Sequence, residues 1–282
     1  MPERMKKFFS LATLVLAVCV FSGCLQSDKL VKVNPDGSGT VEDTLILGKQ
    51  SVAQMKQMAE GFGALGQPAG KAPAPFKVLD EAKLRETAEK MGDGVTFVSA
   101  KPVENAFGEG YTAIYAFTDI NNLKLDQNPT ESLPMGNPAM KMAKAKREAV
   151  KFEFKKGAHS FLTVKLPQPK DGDLPKQRPP MPQMPAGGGD MAGMMMQQMF
   201  KDLKMTVAVE VQGRIVETNA EYQNGSRVTL MEMDFNKVLA NPEKFKALTQ
   251  AQPKTVEEAK ALAKGIDGIK AETQPTVMVE FQ

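Results

Sequence analysis

Leu30 to Leu47 read LVKVNPDGSGTVEDTLIL. Val31 and Val33 alternate with polar neighbours before the break, and Val41, Leu45 and Leu47 do so after it. Strict alternation over a short run is the mark of a half-buried strand. Between the two runs sits Asn34-Pro35-Asp36-Gly37-Ser38-Gly39. Proline fixes φ at the second position of a turn, aspartate tolerates the third, and glycine accepts positive φ. The stretch therefore predicts a β-hairpin and an antiparallel sheet. A calcium loop starting at Asp36 would need a closing carboxylate at its twelfth position. Leu47 stands there.

Further hairpins follow the same logic. Val95 to Pro102 and Gly110 to Phe117 pair around a short turn, as do Glu148 to Lys155 and Ser160 to Leu166 around Lys156-Gly157. Arg214 to Ala220 and Arg227 to Met233 read as a third such pair around Gln223-Asn224-Gly225. Met205 to Val211 and Thr276 to Phe281 are single strands.

Helices interleave with these strands. Lys49 to Phe62 places Val52, Met55, Met58, Ala59 and Phe62 on one stripe, and Asp80 to Met91 places Leu84, Ala88 and Met91 together behind a capping aspartate. Thr255 to Ala263 opens with capping-box spacing between Thr255 and Glu258. A D-x-N sequence recurs at Asp119-Ile120-Asn121 and Asp234-Phe235-Asn236, each followed by Asn-Pro, at Asn128-Pro129 and Asn241-Pro242. The recurrence reads either as an internal repeat of strand, turn, strand and capped helix or as common capping chemistry. The expected fold is α+β, an antiparallel sheet of hairpins with amphipathic helices packed on it.

The start of the chain gives an address. Arg4, Lys6 and Lys7 precede an apolar run from Phe8 to Phe21 that is short for a membrane span. Phe21-Ser22-Gly23-Cys24 resembles the bacterial lipobox, with Phe21 in place of the usual leucine. That resemblance implies a signal peptide at 1–23, cleavage before Cys24, and diacylglycerol on the Cys24 sulfur. Residues 24–29 are then a lipidated tether, and 30–282 form the α+β domain, with a flexible Pro/Gly/Met-rich insert at about 167–192. Leu25 rather than aspartate after the cysteine suggests, by similarity to the enteric sorting rule, an outer-membrane protein facing the periplasm.

Lipobox, short tether, V-x-V-N-P-D-G-S-G-T-V and GYTAIYAFTDINNL together resemble the LppM-type lipoprotein domain. The resemblance implies an α+β sheet domain that binds a ligand or lipid, and it carries over no catalytic residue.

Composition excludes several functions. Removal of the signal leaves 33 basic against 32 acidic residues, so nothing attracts nucleic acid. Cys19 leaves with the signal and Cys24 carries lipid, so the mature chain has no disulfide and no thiolate site. His159, the single histidine, falls at a turn, and no hydrolase, phosphate-loop or dinucleotide motif is present. A carboxylate hydrolase is a reading that no motif nominates.

Arg178 to Phe200 holds seven of the 19 methionines. Met181, Met184, Met191, Met194 and Met195 offer soft thioether donors that suit Cu(I). Against this, Met195, Met199 and Leu203 recur as an ordinary buried helix stripe. The leading expectation is a non-enzymatic lipoprotein with no cofactor, membrane-anchored through Cys24. It would bind an envelope protein or an apolar ligand, and Cu(I) handling is the alternative.

Overall fold

The computed structural model describes residues 25–66, 77–126, 149–168, 197, 200–251, 253 and 255–282. The expected signal peptide, Cys24, the five candidate copper ligands and nearly all of the insert lie outside these residues.

The opening hairpin is as read. Strand β1 spans Leu25–Val33 and β2 spans Gly39–Gly48, paired antiparallel from Leu25↔Leu47 to Val33↔Gly39. The turn is closed by the Asn34 amide donating to the Ser38 carbonyl at 2.8 Å and the Gly37 amide donating to Asn34 at 3.0 Å. Asp36 Oδ1 accepts from both the amide and the hydroxyl of Ser38, at 3.0 and 2.6 Å. Gly37 sits at φ +87°, and a Cβ there would lie 2.6 Å from the Phe154 ring. Only glycine supplies that backbone under that ring.

Helix α1 (Lys49–Gly66) leaves β2 directly, and α2 (Glu81–Met91) follows. Asp80 caps α2, its carboxylate accepting from the amides of Ala82 and Lys83 at 3.1 and 3.3 Å. Asp80→Ala is expected to cost about 1 kcal/mol in urea unfolding, as losing a cap does. β3 (Val95–Glu104) and β4 (Gly108–Phe117) form the second hairpin. A short 3-10 turn (Ile120–Asn122) leads to β5 (Lys124–Leu125), then β6 (Val150–Lys155) and β7 (Ser160–Lys165).

The later strands are β8 (Lys204–Val211), β9 (Ile215–Thr218), β10 (Gln223–Asn224) and β11 (Arg227–Asp234). Helices α3 (Phe235–Leu239), α4 (Pro242–Gln250) and α5 (Val256–Lys264) follow, then β12 (Ile269–Ala271) and β13 (Thr276–Phe281).

The fold is α+β with antiparallel-rich sheets, as the alternation predicted. The strands divide between two sheets. One runs β10-β11-β8-β1-β2-β4-β3, with β12 on β11; the other runs β5-β6-β7-β13-β9. One core joins them. Val31, Val41, Leu45 and Tyr115 come from the large sheet, and Phe152, Leu162, Val279 and Phe281 from the small one. Val52, Met55, Leu84 and Met91 come from α1 and α2.

Three expectations are corrected. The hairpin read from Arg214–Ala220 and Arg227–Met233 does not form. β9 pairs with β13 in the small sheet, and the Gln223-Asn224-Gly225 turn closes only a two-residue ladder with β11. Local alternation identifies strands but does not choose their partners. Residues 25–29 are not tether, because β1 begins at Leu25 and is hydrogen-bonded to β2 on one side and to β8 on the other. The β1–β8 pairing is parallel, which no hairpin signal announces.

The D-x-N recurrence resolves into capping chemistry. Asp119 and Asp234 cap the 3-10 turn and α3. In each motif the asparagine accepts a backbone N–H from elsewhere: Asn121 from Phe154 at 2.8 Å, Asn236 from Asp202 at 3.0 Å. The strands before the two motifs differ, since only the first pair is a hairpin.

Candidate functional site

Two features stand apart from ordinary packing. The first is polar and lies in the core. In β2 the period-two face that carries Val41, Leu45 and Leu47 also carries Asp43. Directly across the β1–β2 ladder is Lys29. Asp43 is 1% exposed and Lys29 5%. The Lys29 ammonium donates to the Asp126 carbonyl at 3.0 Å. Asp43 Oδ2 and the Tyr115 hydroxyl are buried without a protein hydrogen-bond partner.

Burial pushes the Asp43 carboxyl above its usual range, and the nearby Lys29 charge only partly opposes this. Burial likewise raises the Tyr115 phenol, with Asp43 adding to the effect. The β2 alternation held the signal for Asp43, whereas reading Lys29 as tether hid its partner. Lys29, Asp43 and Tyr115 are all buried.

The second feature is a cleft of about 220 Å³ between α5 and β12. Val256, Ala259 and Ala263 line it from the helix, and Ile269 and Ala271 from the strand. The capping box positions the helix, Thr255 Oγ1 accepting from the Glu258 amide at 3.2 Å. No residue of α5 is fully buried, although its apolar stripe faces the strand. Alanine at 259 and 263 stops short of β12, and the unfilled space is the cleft.

Its rim is polar and internally satisfied for the most part. Lys264 pairs with Glu221 at 2.9 Å, and Thr273 Oγ1 donates to the same carboxylate at 2.5 Å. These bonds hold Glu221 below and Lys264 above their usual ranges. Lys260 donates to the Thr273 carbonyl at 3.2 Å. Glu272 closes one end, its Oε1 accepting from the Tyr222 amide at 3.0 Å while Oε2 is buried without a partner. Sequence reading found the helix but missed β12, a three-residue strand whose partners in β11 lie about 40 residues earlier.

His159, expected at a surface turn, is half-buried, and its Nδ1 meets the Glu280 carboxylate of β13. Among the described residues no group of three histidine, cysteine or acidic side chains could hold a metal ion, and no helix is long and apolar enough to cross a membrane.

No protein-family profile and no curated protein matches the chain. Among solved structures it is similar to the folded domain of the Mycobacterium tuberculosis LppM protein, determined by NMR. The identity is 7%, the match covers 93% of this chain and 91% of that one, and the TM-score is 0.31. That makes it a weak structural neighbour, below the level at which two chains share a fold.

Proposed function

We propose that the chain is a non-enzymatic bacterial lipoprotein, anchored through Cys24 to the outer membrane and facing the periplasm. Its domain binds an apolar ligand, or the apolar side chain of an envelope partner, in the α5–β12 cleft. The observation that carries this reading is the unfilled aliphatic space beside Ala259 and Ala263, within a rim where Lys264 is paired with Glu221 and Lys260 is bonded to the Thr273 carbonyl. Such a cleft offers an aliphatic floor to a hydrocarbon group.

Native mass spectrometry of the Ser27–Gln282 domain, purified from a periplasm, tests it. A co-purified apolar mass is expected, and Ala263→Phe, which fills the cleft, should remove that mass while leaving the unfolding free energy in urea within about 1 kcal/mol of the parent. Retention of the adduct by Ala263→Phe would move the ligand elsewhere. The Cu(I) alternative rests on the spacing of Met181, Met184, Met191, Met194 and Met195 alone. A tight copper adduct on the same domain would favour it.

A further inference from the structure

The absence of a tether has a geometric consequence, which rests on the lipid-anchor reading. Consecutive Cα atoms are about 3.8 Å apart. The lipidated residue would therefore stand one peptide from Leu25, the first residue of β1. β1 is an interior strand, with Leu25↔Leu47 on one side and Gln26↔Lys204 on the other. A strand held on both sides from its second residue cannot pay out slack.

From this we infer that the Leu25 end of the large sheet rests on the phospholipid headgroups, giving the domain one orientation on the bilayer. The register fixes what lies at that end. β2 brings Gly48 and the exposed Lys49, and Gly48 pairs with Gly108, so the β3–β4 turn with Ala106 and Phe107 is there too. The Lys49 amide donates to the Phe107 carbonyl at 3.2 Å. β8 enters at exposed Lys204, just after Phe200, whose ring stacks on Phe235 at 4.8 Å.

The exposed lysines suit a headgroup layer. Glu104 and Asp202 share this end, so the covalent anchor, rather than net charge, sets the contact. The opposite end carries the Asn34–Ser38 turn, with Lys156 beside Asp36 and Ser160 Oγ donating to the Pro35 carbonyl at 3.2 Å. Nine strand residues separate the two ends, roughly 30 Å at the usual rise.

The same register sets the height of the cleft. Ala271 pairs with Met231, Met231 with Val207, and Val207 with Lys29. Lys29 is four residues beyond Leu25, so that wall of the cleft stands roughly 13 Å along the strands from the anchored end. A hydrocarbon ligand leaving the bilayer would reach it without crossing the periplasm.

The chain contains no tryptophan, so single introduced indoles report cleanly. Lipidated full-length chain would be reconstituted into phosphatidylethanolamine–phosphatidylglycerol vesicles carrying lipid brominated near the headgroup. Co-sedimentation with the vesicles establishes anchoring first. Phe107→Trp fluorescence is expected to be quenched at least threefold more than that of Lys156→Trp. Ala106→Trp, at an exposed turn position, should match Phe107→Trp and serves if the latter misfolds. Equal quenching at both ends, or none at either, with co-sedimentation intact would overturn the orientation and leave the anchor standing. Loss of co-sedimentation would overturn the anchor, and the orientation with it.

Discussion

Replacing Lys29 by methionine is expected to destabilise the domain by about 1–3 kcal/mol at neutral pH, the range seen when a buried polar group loses its partner. Methionine preserves most of the volume. It removes the ammonium that faces Asp43 across the β1–β2 ladder and donates to the Asp126 carbonyl. Asp43 would be left among Tyr115, Val41 and Leu45 with no cation beside it.

The pH dependence has a definite sign. Burial already raises the Asp43 carboxyl, and Lys29 is the first influence that lowers it. Without Lys29 the folded-state value rises further. Above the ordinary carboxylate range, about pH 4, the unfolded chain has released this proton while the folded chain holds it. Stability is therefore greatest below that range and falls as pH rises through the folded value. Urea unfolding at pH 5 and pH 7 should show a steeper fall in Lys29→Met than in the parent. Adding Asp43→Leu should restore most of the loss and flatten the profile, since apolar replacement of a buried pair is often neutral. Equal stability of Lys29→Met and the parent at both pH values would show that the two groups are not coupled.

That pair also marks where the sequence stops being readable. The β1–β2 hairpin, the Asp80 and Thr255 caps, the apolar face of α2 and the Val52–Met55 part of that of α1 were legible because each depends on residues within a few positions; the side chains of Met58, Ala59 and Phe62 lie outside the described residues. Asp43 was half legible. It shares the face of Val41 and Leu45, so alternation alone puts a carboxylate in the core, but its cation comes from residues read as tether. The division into two sheets was not legible. β9 follows β8 by four residues yet pairs with β13 about 60 residues on, and β1 finds β8 in parallel after more than 170. The cleft depends on the same long-range pairing, because its strand wall exists only once β12 has joined β11. Ala259 and Ala263 fall in a helix that the sequence marks only by its cap, and in the fold they line the cleft.

Replacing Cys24 by alanine is expected to abolish membrane attachment of the processed protein. Each buried methylene contributes about 0.8 kcal/mol, and more than one acyl chain makes attachment stable. The cysteine sulfur is the proposed bearer of those chains, and no described helix could substitute as a span. The fold itself should be indifferent, since the described pairing of β1 begins at Leu25. Two readouts separate these effects. Fractionation with mass spectrometry should find the parent in membranes, starting at residue 24 with an acyl mass, and Cys24→Ala as an uncleaved precursor or a soluble chain without that mass. The urea midpoint of the whole Cys24→Ala chain in detergent should match that of the parent chain. A Cys24→Ala chain that is still cut before residue 24 and still sediments with membranes would remove the lipobox reading. It would also remove the reason for standing the large sheet on its Leu25 end, while the cleft beside α5 would keep its own test.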